Sequence, residues 1–323
     1  MSVQAAIEDW KETILGQAGI TGLARGAGSE KIIIYVEKLS PQILTAIPKE
    51  LSGFPVEVKS TGKLQILQAR TGRWRPIIGG ISLGHPLITA GTLTERVLRN
   101  DTKELALHSC NHVLALNWGE YHVGHIGDSA LQPGPFDGGT DPNDKVGELD
   151  RWINVELLPA ENLIDSAIAS IMLPEGCDAG AIDIEDASYS IDPQVGMRCY
   201  KSGRTTGTTW STVESIGAVI DVEGWGVCRF KDQIIFRPAL GAGGDSGSLT
   251  AEGVTERVVG SLFAGSSEVT AVNAAKNIEN LQGIKFIGPP VSPPPSVGRP
   301  SPLITLPYLG PLSTALLLTA LCA

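Results

Sequence analysis

Between Ile77 and Lys285 the chain is cut into short apolar runs by glycine-rich turns, and this punctuation limits the fold more than any other feature. Gly91-Thr-Leu93, Leu105-Ala-Leu107, Met197-Arg-Cys-Tyr200, Ser211 to Ile220, Gln233-Ile-Ile-Phe236 and Val258 to Phe263 all read as strands. Strands at this spacing predict barrels or sandwiches rather than a parallel sheet. The 38 glycines and only 5% aromatics suit many short strands joined by tight turns. The Asp-, Gly- and Pro-rich stretch from Gly127 to Gly147 reads as one long surface loop.

Residues 1–76 carry a different pattern. Ala6, Trp10, Ile14 and Leu15 recur at helical spacing within Ala5 to Gln17, with Gly19 as a stop. Lys31 to Lys38 is a strand. Ser40-Pro41 opens a helix expected to run through Leu51, and Gly53 to Lys59 returns as a strand. This is a small α/β leader before a β region over 77–287. A proline-rich linker comes next at 288–302, with seven prolines, and then an uncharged apolar tail at 303–323. The tail has the length of a membrane span, but Pro307 and Pro311 break its first half. Membrane contact by the tail is therefore not the expectation; a docked strand or a free end is.

A formal charge of -10 repels phosphate backbones and argues against nucleic acid as a partner. Five cysteines, an odd number without a CxxC, give no structural metal site, and no cofactor motif is present. Met1 to Gly19 carries Glu8, Asp9, Lys11 and Glu12 and lacks the apolar core of a secretory signal. A reducing cytoplasm is the expected compartment. Oligomeric state is not legible.

The chemistry centres on Gly243-Gly-Asp-Ser-Gly-Ser248. A serine hydroxyl is a weak nucleophile until a base takes its proton and donors receive the charge on the attacked oxygen. Glycines around Ser246 permit a sharp turn in which the amides of Gly244 and Ser246 point together as an oxyanion hole. An ordinary Gly/Asp turn reads the same way in isolation. Among His85, His108, His112, His122 and His125, His112 stands at the end of a strand, where a base is held rigidly. Asp165, ahead of the apolar run Ala167-Ile-Ala169, is a carboxylate whose burial needs a partner, although a helix cap also fits it. Asp150, Asp178 and Asp183 compete for that role. The order His112, Asp165, Ser246 is that of the chymotrypsin triad.

These residues, with Gly79-Gly-Ile-Ser-Leu-Gly-His85, Asn111-His-Val-Leu-Ala115, Leu131-Gln-Pro-Gly-Pro135, Lys201-Ser-Gly-Arg-Thr-Thr-Gly207 and Leu262-Phe-Ala-Gly-Ser-Ser267, resemble the trypsin-like serine peptidases of bacteria and their plant relatives. The resemblance covers most of 30–285, including the strand–helix–strand leader of Ile32 to Val58. It implies a mainly β, chymotrypsin-like double β-barrel with the triad in the cleft between barrels. It also implies a substrate pocket with Leu240 at its base and Phe263, Ala264 and Gly265 as a wall, which would favour an apolar side chain. Arg75-Pro-Ile-Ile-Gly-Gly80 has the look of an activation site, yet Pro76 makes cleavage after Arg75 unfavourable.

The expected activity is thus a serine endopeptidase acting on peptide or protein substrates through an acyl-enzyme. A protein-binding scaffold without turnover and an esterase on the same triad are the competing readings.

Overall fold

The computed structural model describes residues 1–288 except 29, 63, 65–67, 90, 174, 175 and 186. The linker beyond Gly288 and the tail at 303–323 lie outside the described residues. The chain divides into two compact units, Met1–Ala69 and a second that opens at Arg70.

The first unit is a four-stranded sheet with two helices. Helix Val3–Leu15 starts at Ser2, whose Oγ accepts from the Ala5 amide at 3.2 Å. That bond satisfies one of the amides a helix start leaves without a partner. The buried side of the helix (Val3, Ala6, Ile7, Ile14) packs on Ile32, Ile34 and Val36 of strand Ile32–Val36. This strand runs parallel to Phe54–Ser60 and antiparallel to Ile20–Arg25. The second helix, capped by Ser40, spans only Pro41–Ala46 and stops short of Leu51. Ile47 precedes Pro48, and the proline ring disfavours helical backbone before it; Ile47 is extended, at φ -81 and ψ 126.

The second unit is mainly β. One sheet carries, in order, Ser129–Leu131, Lys145–Trp152, Ala167–Ser170, Leu105–Ser109, Glu95–Arg99 and Ile284–Phe286. In the other, Gly226–Arg237, Gly207–Gly224, Arg198–Gly203, Leu249–Glu252, Val258–Gly265 and Thr270–Ala274 are successive neighbours. Thr270–Ala274 also pairs with Gly226–Arg237, so these six strands close into a barrel. The expected loop over 127–147 is shorter than its composition predicts. Ala130 and Leu131 are each 1% exposed, and their burial draws Ser129–Leu131 into the first sheet against Lys145 to Glu148.

A single core cluster contains Leu107 and Leu149 of the first sheet, Phe230, Phe263 and Ala271 of the second, and Val113 and Leu114. Burying such side chains is worth about 1.5–3 kcal/mol each, so the two sheets and residues 113–114 are held as one packed body. Among the described residues no helix is long and apolar enough to cross a membrane.

Candidate active site

Strand Leu105–Ser109 runs into a one-turn helix, Asn111–Leu114. Asn111 fastens that turn from below. Its Nδ2 donates to the carbonyls of Asn117 (2.7 Å) and Ile153 (2.8 Å), and its Oδ1 accepts from the Asn117 amide at 2.9 Å. Val113 and Leu114 anchor the turn in the core, so His112 projects from a fixed point.

Asp165 arrives from the neighbouring strand. Pairing of Ala167 with Ser109 sets the register that brings residue 165 beside residue 112. The chain leaves Asp165 as strand Ala167–Ser170, not as a helix, so the capping alternative is not its role. The Asp165 side chain is fully buried. Its Oδ1 accepts from the His112 amide at 3.1 Å, and its Oδ2 accepts from His112 Nδ1 in a second, shorter bond. A carboxylate only accepts, so this pairing assigns the hydrogen to Nδ1 and leaves the Nε2 lone pair available. The Asp165 amide donates to Asn273 Oδ1 at 3.1 Å, fixing the backbone as well.

The competing groups go elsewhere. Asp150 faces Arg99 and Arg151, Asp183 pairs with Arg70 at 3.0 Å, and Asp178 is exposed. His85 bonds Asp128 at 3.1 Å, and His122 bonds Asn117 Oδ1 at 3.2 Å. His125 is an exposed loop residue. His108 is fully buried between Thr94 Oγ1 (2.9 Å) and Ser166 Oγ (3.0 Å), and burial pulls its pKa down to about 3.

Ser246 lies in the turn after the barrel strand Gly226–Arg237. Gly244 (φ +90) and Gly247 (φ +93) adopt left-handed backbone that side chains resist, and a Cβ on Gly247 would lie 2.1 Å from the Thr92 carbonyl. The Ser246 carbonyl accepts from the Thr92 amide at 2.7 Å. A Cβ on Gly91 would meet Val113 at 2.3 Å and the Ser246 carbonyl at 3.0 Å. The histidine turn and the serine turn therefore pack on the same glycine. Among the described residues the amides of Gly244 and Ser246 have no backbone acceptor.

The serine turn is held from behind by Asp245. Its carboxylate accepts from the amides of Thr205 (2.8 Å), Thr206 (3.2 Å) and Ala242 (3.0 Å) and from Thr206 Oγ1 (2.6 Å). Lys201 Nζ, fully buried, lies 3.4 Å away and also donates to the Gly207 carbonyl at 2.7 Å. Burial alone would raise the Asp245 pKa; Lys201 and these donors outweigh it and hold the group below the ordinary carboxylate range. Burial lowers the Lys201 pKa, and Asp245 opposes the fall. Asp245 thus has an internal cation, while Ile77 is buried in strand Ile77–Gly79. Beside them Arg204 forms a two-point ion pair with Asp137 and stands over the Phe136 ring at 5.2 Å. A Cβ on Gly244 would touch Arg204 Nη1 at 2.7 Å, so this pair props the same turn.

A cavity of about 400 Å³ opens at Ser246. Phe263, Ala264 and Gly265 line it with Leu262, Gly241, Ala242, Gly243, Ser266, Ser267 and Thr270. Leu240 does not. It is 1% exposed and packs with Val213, Phe236 and Leu262 in the barrel core, its amide donating to Thr270 Oγ1 at 2.8 Å. Thr270 reaches the cavity because it pairs with Gly265 of the adjacent strand, a register that no local signal in the sequence announces. Lys201 and Thr206 are equally silent, since their partner lies some 40 residues on.

Cys110, His112 and Asp165 bring ligand-type atoms within 4.8 Å of one another. Burial pushes the Cys110 thiol well above its ordinary pKa, Asp165 adds to the effect, and the thiol donates to the Leu262 carbonyl at 3.4 Å. A neutral, committed thiol is a poor metal ligand.

No family model matches the chain. No curated protein matches it either. Among solved structures it is similar to a chymotrypsin from Cellulomonas bogoriensis, at 15% identity and a TM-score of 0.47, over 66% of this chain and 99% of that one. It is similar to protease A from Thermobifida fusca at 15% identity and a TM-score of 0.45, over 66% and 99% of the two chains. A glutamic acid-specific serine protease aligns at 17% identity and a TM-score of 0.47, over 65% of this chain and all of its own. These similar structures are thus a chymotrypsin, a protease and a serine protease, and the architecture of this chain is mainly β.

Proposed function

We propose that the protein is a serine endopeptidase with Ser246 as nucleophile, His112 as general base and Asp165 as the group that orients the base. The reading rests most on one observation: the buried Asp165 carboxylate holds both the backbone and the ring of His112, while the serine turn packs on the same glycine as the histidine turn. In this reading His112 Nε2 takes the Ser246 hydroxyl proton as Oγ adds to the scissile carbonyl. The oxygen that gains charge is met by the amides of Gly244 and Ser246. The imidazolium, stabilised by Asp165, then gives its proton to the leaving amine, and an acyl-enzyme remains. Water, deprotonated by the same imidazole, releases the acid and restores Ser246.

The cavity lining carries no charged side chain, which favours an uncharged residue on the acyl side of the cut. We place the enzyme in a reducing compartment, since Cys110, Cys177, Cys199 and Cys228 are all buried free thiols.

Labelling with a fluorophosphonate probe tests the proposal. The folded protein is expected to be labelled and Ser246→Ala is not; an unlabelled, folded wild type would refute it. Turnover of esters without turnover of peptides would replace the peptidase by an esterase.

A further inference from the structure

The two longest strands, Gly207–Gly224 and Gly226–Arg237, form one hairpin, paired from Thr212 and Arg237 out to Gly224 and Gly226. Trp225 is the single residue at its tip. The tip does not project freely into solvent. The Trp225 ring centroid lies 6.1 Å from that of His112, tilted by 37°, and 6.0 Å from that of Trp118. Trp118 meets the same imidazole edge-on, at 6.2 Å and 77°. Trp118 is 2% exposed and packs on Phe230 at 5.7 Å, so it belongs to the core. Trp225 is 37% exposed and needs another reason for its place.

The tip is fastened in this position. Gly226 has φ +109, and a Cβ there would lie 2.5 Å from Leu157 Cδ2, so the backbone is pressed onto that leucine. The Leu158 amide donates to the Val227 carbonyl at 3.1 Å, and Asn162 Nδ2 donates to the Arg229 carbonyl at 3.1 Å. Glu161–Asn162 then runs parallel to Arg229 and Phe230. One strand of the hairpin is clamped along residues 157–162, and the indole is delivered to the imidazole.

We propose that Trp225 is a positioning residue for His112, which rests on the serine-peptidase reading of the site. Together with Trp118, whose centroid lies 6.0 Å from its own, it packs against one side of the imidazole, confines the ring to the rotamer in which Nδ1 meets Asp165, and shields that hydrogen bond from water. An exposed large side chain at a hairpin tip is otherwise a liability, and a smaller residue would leave one face of the base open to solvent.

Trp225→Ala and Trp225→Phe, each checked for an unchanged thermal midpoint, test this in the full-length protein. Trp225→Ala is expected to lower kcat by about tenfold or more with KM within about threefold, because the ring acts on the base and not on substrate affinity. Trp225→Phe is expected to recover most of that loss. Independently of turnover, the far-downfield proton resonance of the His112–Asp165 hydrogen bond is expected to broaden by exchange with water in Trp225→Ala and to persist in Trp225→Phe. Wild-type kcat and an undisturbed resonance in Trp225→Ala overturn the proposal; so does an equal loss in both variants. Failure of the fluorophosphonate labelling would remove the peptidase reading alone, since the resonance still reports whether the ring guards the bond.

Discussion

Lys201 and Asp245 face each other at 3.4 Å with both side chains fully buried, directly behind the turn that carries Ser246. A carboxylate at that place needs a cation or several donors, and this chain provides both from one segment, residues 201–206. Removing the lysine leaves a buried charge with only neutral donors. Lys201→Met is therefore expected to destabilise the protein by about 3–5 kcal/mol and to abolish probe labelling of Ser246. Denaturant unfolding and labelling, run side by side, check both outcomes; a stable, fully labelled variant contradicts the account.

Asp165→Asn offers an amide where His112 now finds only an acceptor. The ring is then free to take the tautomer with hydrogen on Nε2, which cannot accept the serine proton. A loss in kcat of about 10⁴-fold with intact folding is expected, read from steady-state turnover of a peptide substrate. A loss below tenfold would remove Asp165 from the machinery.

His108 and Glu95, cross-strand partners in the first sheet, make opposite contributions to stability against pH. Burial lowers the His108 pKa from 6.5 to about 3, so the unfolded chain binds more protons than the folded one between those values. Its contribution is full above pH 6.5 and is lost as pH falls toward 3, with a total on the order of several kcal/mol. Burial raises Glu95 well above 4.5, so its contribution is full below that value and is lost as pH rises through the folded pKa. Glu95→Gln is expected to be more stable than wild type at pH 8, with the gap closing toward pH 4. Thermal midpoints across that range decide it, and a gap that widens on acidification would reverse the sign.

A positional peptide library reads the cavity. With no charge in the lining, Lys, Arg, Asp and Glu are expected to be disfavoured at the cleaved residue relative to uncharged side chains. Preference for any of the four by more than about tenfold, equivalent to 1.4 kcal/mol, would mean that a charged group reaches the pocket in the complex.

How much of the molecule is legible in the sequence depends on whether the cause is local. The helix start at Ser2, the cap at Ser40 and the barrel strands follow from residues within one turn or one pleat, and the run around Ser246 announces its turn through its glycines. His112 stands out because a strand ends just before it, and the structure brings it to Asp165 through the register of two strands 53 residues apart in their key positions. Leu240 shows the limit. The resemblance puts it, six residues before Ser246, at the pocket base, but Thr270, paired with Gly265, lines the cavity and Leu240 lies in the barrel core. Lys201 and Arg204 stand in a segment of the resemblance that names no role for them, and Trp225 stands in none; each matters through a partner that only the folded chain brings near. The proline-rich and apolar segments past residue 288 are legible by composition alone, and composition does not say where they go.

Strand Ile284–Phe286 pairs with Val97 to Arg99 and completes the sheet that bears the histidine, although almost two hundred residues of chain separate them. During synthesis the histidine, the aspartate and the serine are all made before that strand exists. A nascent chain still missing Ile284–Phe286 holds His112, Asp165 and Ser246 yet lacks the edge strand of the sheet that bears the histidine. Under the peptidase reading proposed above, this order of synthesis leaves the sheet of the histidine without its edge strand until residue 286 has been made.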